Sequence, residues 1–191
     1  MTALDTPLHL VSFVSVDVET TGLDPRRDAI VEIGAVRVQN GKIVEEFDTL
    51  VACDRSIPYG AFRVHRINAE MLVGKPPPAK ALPMLLSFIG DGVPVEHSWK
   101  AFDVAFLETA LGRPLAPVCI NTCTLSRRLF PFHRKHSLDE CCRRHQITNT
   151  QAHRALSDAR APAQLLLSFL EVCSPRYPRL KDLAQVASVE R

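Results

Sequence analysis

Nowhere in its 191 residues does the chain carry an apolar run approaching the roughly 18 residues of a membrane-spanning helix. Residues 1–10 do not read as a secretory signal either, since Asp5, Pro7 and His9 interrupt them and no basic start precedes an apolar block. The expectation is a soluble, cytoplasmic protein with no membrane partner. Charge of one sign is missing too: 23 basic residues stand against 21 acidic ones, so net charge alone points to no partner. There is no internal repeat and no low-complexity segment. The composition, 46% hydrophobic and 23% charged, excludes collagen, coiled coil and wholesale disorder. At about 100–200 residues per domain, one domain is expected, with a core over about residues 12–172 and a short tail at 174–191.

Within that balance the basic residues cluster. Arg127, Arg128, Arg134, Lys135, Arg143 and Arg144 face only Asp139 and Glu140 over residues 127–145. The patch suits a polyanion or a solvated helix face. Six cysteines (Cys53, Cys119, Cys123, Cys141, Cys142, Cys173) read as reduced and mostly buried. A chain of this core size has no need of a disulfide framework, and Cys119-x3-Cys123 with His133-x2-His136 fits no common zinc finger. Of the adjacent pair Cys141 and Cys142, one is expected buried and one partly exposed on a helix.

Residues 12–18 alternate with period two and read as a strand. Residues 30–38 form a second, and Asn40-Gly41 is a strong hairpin signal returning a third over 42–51. After Pro58 the pattern changes. Residues 67–70 suggest a short capped helix, and Pro76-Pro77-Pro78 a rigid extended turn. Leu82, Leu85, Leu86 and Ile89 share a helical face, with Pro83 marking the helix start. A fourth strand at 93–97, a helix through Phe102–Leu111, a fifth strand at 117–121 and helices at 122–129, 137–145 and 155–170 follow. A short amphipathic stretch lies in the tail. Three meander strands followed by strand–helix alternation predict an α/β domain with a mixed sheet.

The residues out of place are acids. Asp17 and Glu19 lie two apart at the end of the first strand, so both project to one face. They are either a pair of carboxylates at a sheet edge, which only a cation would make tolerable, or solvated turn residues. Asp103 stands where the fourth strand gives way to a helix, and Asp158 opens the last long helix. Carboxylates at strand ends and helix starts can converge, and such hard oxygen ligands suit Mg²⁺ or Mn²⁺. Four acids and two ions are the parts of a two-metal phosphoryl-transfer site. His153 precedes Asp158 by five residues, about 140° apart on a helical wheel, so it joins them only from a loop before the helix. There it could serve as general base.

Taken in order, Asp17-Val18-Glu19-Thr20-Thr21-Gly22, His97-x4-Phe102-Asp103 and His153-Arg154-Ala155-Leu156-x-Asp158 resemble the three motifs of the DEDDh-type 3′→5′ exonucleases. That family includes the proofreading subunit of bacterial DNA polymerase III and ribonuclease T. Supporting stretches at 30–35, 64–67 and 125–131 extend the likeness over most of the chain. The resemblance implies a ribonuclease H-like fold, a five-stranded mixed sheet whose second strand is antiparallel, flanked by helices. It implies that Asp17 bridges two Mg²⁺ (or Mn²⁺) ions, Glu19 and Asp158 hold the first, and Asp103 holds the second largely through water. His153 would deprotonate the attacking water, releasing a nucleoside 5′-monophosphate. Thr20, Thr21, Gly22 and Leu23 would receive the 3′-terminal nucleotide, with His65 and Phe102 as further contacts.

This chain has Ser98 where the family's second motif usually has Asn after His97, and His97 is itself read as structural. Pro162 should bend the last helix or delay its start. Residues 164–169 read as the core face of that helix rather than a sliding-clamp peptide, and the lone Trp99 as packed against the core rather than stacked on a base. The expected function is removal of nucleotides from single-stranded or frayed DNA 3′ ends. Two alternatives stand: an exoribonuclease of the ribonuclease T or oligoribonuclease kind, and a non-catalytic subunit that binds nucleic acid or a polymerase. The chain closes soon after the motif-bearing region, which favours a stand-alone nuclease. A homodimer pairing one subunit's basic region with the other's site is a further expectation.

Overall fold

The computed structural model describes residues 2–149 and 151–188. Met1, Thr150 and the last three residues of the expected tail lie outside the described residues. Strands β1 (Phe13–Thr20), β2 (Ile30–Gln39), β3 (Lys42–Leu50), β4 (Val93–Glu96) and β5 (Ile120–Asn121) form one sheet in the order β3-β2-β1-β4-β5. β2 pairs antiparallel with β1 and with β3, while β1, β4 and β5 run parallel. The fifth strand keeps two residues of the five expected.

Helices α1 (Tyr59–His65), α2 (Ala69–Leu72), α3 (Pro78–Ile89), α4 (Phe102–Leu111), α5 (Thr122–Leu129), α6 (Leu138–Arg144), α7 (Ala155–Cys173) and α8 (Leu180–Ala187) complete the chain. α1 carries no amphipathic signature and was not anticipated. Asn68 caps α2 by accepting from the Met71 amide, as its sequence suggests. One proline reading needs correction. α3 begins at Pro78, where a proline without N–H costs nothing, so Pro83 lies inside the helix and does not start it. α7 starts at Ala155 as expected and runs on through the buried Pro162, which therefore does not delay its start.

β1 is the central strand and buries both faces. Val14, Val16 and Val18 face a core shared with Leu82 and Leu85 of α3 and Phe106 and Leu107 of α4. Phe13 faces the other core, with Val36 and Val38 of β2 and Ala163, Leu166 and Phe169 of α7. Each fully buried Leu or Phe contributes about 1.5–3 kcal/mol, so two packed layers hold the sheet edge rigid. Residues 164–169 supply Leu165, Leu166 and Phe169 to that core, as expected. All six cysteines are free. Cys141 and Cys142 are both buried, against the expectation of one exposed, because α6 packs on α7 and both thiols join the core on that side of the sheet. Among the described residues no helix is long and apolar enough to cross a membrane.

Candidate active site

Parallel strands β1, β4 and β5 end at one edge of the sheet, and the acids gather there. Strand alternation puts Asp17 and Glu19 on the α7 face of β1, since the even-numbered valines take the other. Asp17 pairs in register with Gly34 of β2. A Cβ at Gly34 would collide with the backbone of Ala155 and Leu156, so the first turn of α7 rests directly on this glycine. That contact sets Asp158 beside β1. Ligand oxygens of Asp17, Glu19 and Asp158 lie within 4.8 Å of one another.

Asp103 enters from the opposite layer. It is buried in the first turn of α4, and its Oδ1 accepts from the Val18 amide at 3.2 Å. His153 stands on the turn before α7, with φ 66°; its amide donates to Asp158 Oδ2 at 2.7 Å. Asn149 donates to the other oxygen of Asp158 and accepts from Ser157 Oγ at 2.6 Å. The loop position required of His153 is therefore the observed one, and its ring is exposed.

Crowding of like charge defines the electrostatics. Burial first, then Asp103, Asp158, Glu19 and Glu32, hold the Asp17 carboxyl well above the usual carboxylate range. Burial, Asp158 and Glu32 push Glu19 up to about 8. Asp103 is raised as well, by burial and then by Glu96. Acids so placed without a cation favour protonation; a divalent ion removes the conflict. The donor set is all carboxylate oxygen, which fits Mg²⁺ or Mn²⁺ and not a thiolate-seeking metal. The cysteine–histidine set has other work: Cys123 Sγ donates to the His136 carbonyl, and His136 Nδ1 bonds Ser126 Oγ.

The remaining motif residues shape the rim. Thr20 Oγ1 donates to the Gly22 carbonyl at 2.6 Å, and Thr21 Oγ1 donates to Asp28 and accepts from the Ala29 amide. Both threonine hydroxyls are thus spent on the loop. A Cβ at Gly22 would displace the Asp28 carboxylate from its bonds to Thr21 and the Asp24 amide. Leu23 projects into solvent, 85% exposed. His65 is buried; its Nδ1 accepts from the Ile67 amide, so the proton sits on Nε2, which faces the Thr20 backbone and closes no hydrogen bond among the described residues. Phe102 is half-buried against Phe106, ring centroids 4.8 Å apart. His97 is structural. The His136 carbonyl can only accept, so His97 Nε2 donates to it, while Nδ1 lies 2.9 Å from the Thr122 hydroxyl. Burial holds its pKa down to about 4.

Three supporting residues, Glu32, Gly34 and Glu96, escaped the sequence reading. Glu32, 1% exposed, accepts a forked pair of bonds from Arg154 and the Ala155 amide, tying the start of α7 to β2. Gly34 provides the seat just described. Glu96, fully buried, accepts from Asn121, Ser98 and the Val104 amide. Ser98 in turn accepts from the amide of Phe102, the first residue of α4, at 2.8 Å, so serine at this position ties the loop to the helix start. Glu32 and Glu96 were legible as acids within apolar strands, the same signal that exposed Asp17. Trp99 corrects an expectation: it is 71% exposed, with the Arg127 guanidinium 3.4 Å over its ring. The loop that carries it turns outward, and core packing would require the reverse.

A family profile described as Exonuclease matches residues 14–166. The chain is 38% identical over 165 residues to the DNA polymerase III PolC-type protein of Thermotoga maritima, covering 84% of this chain and 12% of that one. It therefore spans about an eighth of that relative's length. It is 34% identical over 164 residues to the DNA polymerase III subunit epsilon of Aquifex aeolicus, covering 84% of this chain and 81% of that subunit. Among solved structures, exonuclease X in complex with 5′ overhanging duplex DNA superposes with a TM-score of 0.73 at 29% identity, over 91% of this chain and 98% of that one. The sheet order and flanking helices are those of the ribonuclease H-like exonuclease fold.

Proposed function

The chain belongs to the exonuclease family, and from that premise we propose that it hydrolyses the last phosphodiester at the 3′ end of single-stranded or frayed DNA. The observation that carries the reading is the convergence of three carboxylates within 4.8 Å at the sheet edge, with Asp103 tied to the same strand. Asp17, Glu19 and Asp158 would hold one Mg²⁺ or Mn²⁺, and Asp17 with Asp103 a second. When bound, the ions supply charge neutralisation for the attacking and leaving oxygens.

The protein's own groups do the rest. His153, exposed and free of the helix, takes the proton of the attacking water at a ring nitrogen. Its backbone bond to Asp158 holds it next to the carboxylates while the ring stays open to solvent. The loop Thr20–Leu23 receives the terminal nucleotide, its shape set by internal hydroxyl bonds and its apolar tip by Leu23. His65, its buried Nε2 turned to the Thr20 backbone, would support that loop from beneath, and Phe102, half-buried at the start of α4, would be a further contact. DNA is favoured over RNA because relatives at 34–38% identity are DNA polymerase III proteins.

The test is digestion of matched 5′-labelled DNA and RNA oligonucleotides with Mg²⁺ or Mn²⁺, beside Asp17→Ala and His153→Ala. The reading expects a ladder shortening from the 3′ end, faster on DNA, abolished by EDTA and by Asp17→Ala. His153→Ala should lose most turnover yet retain Mn²⁺ affinity. Faster cleavage of RNA would transfer the activity to exoribonuclease. No cleavage by folded, metal-supplied protein would leave a binding subunit.

A further inference from the structure

Beyond the acidic cluster, the same sheet edge carries a feature the catalytic reading does not use. The loop between β4 and α4 leaves His97 inward and presents Trp99 to solvent, then reverses at Ala101 (φ 53°, ψ 43°) to send Asp103 back inside. A left-handed alanine costs about 1 kcal/mol, so the outward placement of the indole is held by the surrounding structure. Arg127, from the last turn of α5, stacks on one indole face at 3.4 Å and leaves the other open.

This stack divides two hollows. One is lined by Lys100, Arg127 and Arg128, the other by Arg127, Arg134 and Lys135. Among the described residues no carboxylate lines either. Of the two acids over residues 127–145, Glu140 is engaged with Arg143 and Arg144. The second hollow is also walled by His97 and Ser98, and Ser98 bonds the amide of Phe102, next to Asp103. Cations thus surround one aromatic plate on the loop that leads from β4 to Asp103.

We infer that this surface is the track for the nucleic-acid strand behind its 3′ end, with a base stacked on the free face of Trp99 and phosphates held by the flanking cations. The inference rests on the nuclease reading above. A polyanion meets the charge, and a base meets the indole, whose other face Arg127 already polarises by cation–π contact. A peptide partner would need carboxylates for the cations and would gain nothing from a flat, half-stacked indole. Any base fits such a plate, so the track confers length preference and not sequence preference.

The experiment compares wild type with Trp99→Ala, Trp99→Phe and Arg134→Ala on two substrates. One is a chromogenic nitrophenyl ester of a nucleoside 5′-monophosphate, which engages only the carboxylate site; the other is a labelled 12-nucleotide single strand. Trp99→Ala should raise KM for the oligonucleotide about tenfold, the worth of one stacked base, and leave the ester unchanged. Trp99→Phe should recover most of the loss. Arg134→Ala should lower the slope of log K against log salt by about 0.7, one phosphate contact. An unaltered oligonucleotide KM in Trp99→Ala, with the ester still turned over, overturns the track and spares the active site. Failure of wild type on both substrates overturns the nuclease reading itself.

Discussion

Replacing Glu19 by glutamine should stabilise the metal-free protein, and by an amount that depends on pH. Glu19 lies 4.8 Å or less from Asp17 and Asp158, and burial, Asp158 and Glu32 raise its pKa from 4.5 to about 8. The folded chain therefore binds this proton more tightly than the unfolded chain does. Its contribution to stability is present at low pH and is lost as pH rises from the unfolded value towards 8. Integrated between pH 5 and pH 7, the loss is about 2 kcal/mol after discounting for the side chain's partial exposure. The amide of the Glu19→Gln variant does not titrate. The buried His97, held near 4, destabilises in the opposite direction on acidification but does so in both proteins and cancels. In EDTA, urea titrations should thus show the variant gaining about 2 kcal/mol on wild type between pH 5 and pH 7, roughly 4–8 °C in Tm. Saturating Mn²⁺ at pH 7 should reverse the order, since a ligand at 100 times its Kd adds about 2.7 kcal/mol to the protein that binds it. A stability difference that stays flat with pH, or a variant less stable than wild type in EDTA at pH 7, would refute the claim that the carboxylates are in conflict.

Three further outcomes follow from the supports of the site. Gly34→Ala forces the start of α7 off the sheet; it should cost about 1–3 kcal/mol by denaturation and, with Asp158 and His153 displaced by some tenths of an ångström or more, lower turnover by about 10²-fold. Arg154→Ala strands Glu32, which is 1% exposed, and should cost about 3–5 kcal/mol, whereas the pair Arg154→Met with Glu32→Gln should recover most of it in the same urea titration. Ser98→Ala removes the acceptor for the Phe102 amide and a donor to Glu96; a loss of about 1–2 kcal/mol is expected in calorimetry, and no loss would assign the bend into α4 to packing alone.

Much of this site was legible along the chain because its signals are local. Alternation fixes which face of β1 carries Asp17 and Glu19, Asn40-Gly41 announces the hairpin between β2 and β3, and a five-residue spacing already requires His153 to precede the helix bearing Asp158. Caps and turns are written within a few residues, as at Asn68. What needed the fold was every relation between distant segments. Gly34 looks like an ordinary strand glycine until α7 is seen resting on it, and Glu32 is one acid among many until Arg154, 122 positions later, closes on it. Pro83 misled for the same reason: local rule places it at a helix start, yet it is carried inside a helix whose apolar face packs against the sheet. Composition places a tryptophan in the core, and only the left-handed turn at Ala101 and the stack of Arg127 put Trp99 outside. Periodicity and spacing act over one or two turns of chain and so are carried by the sequence. Proximity across the sheet is a sum of many packing contacts, and it exists only once the chain has folded.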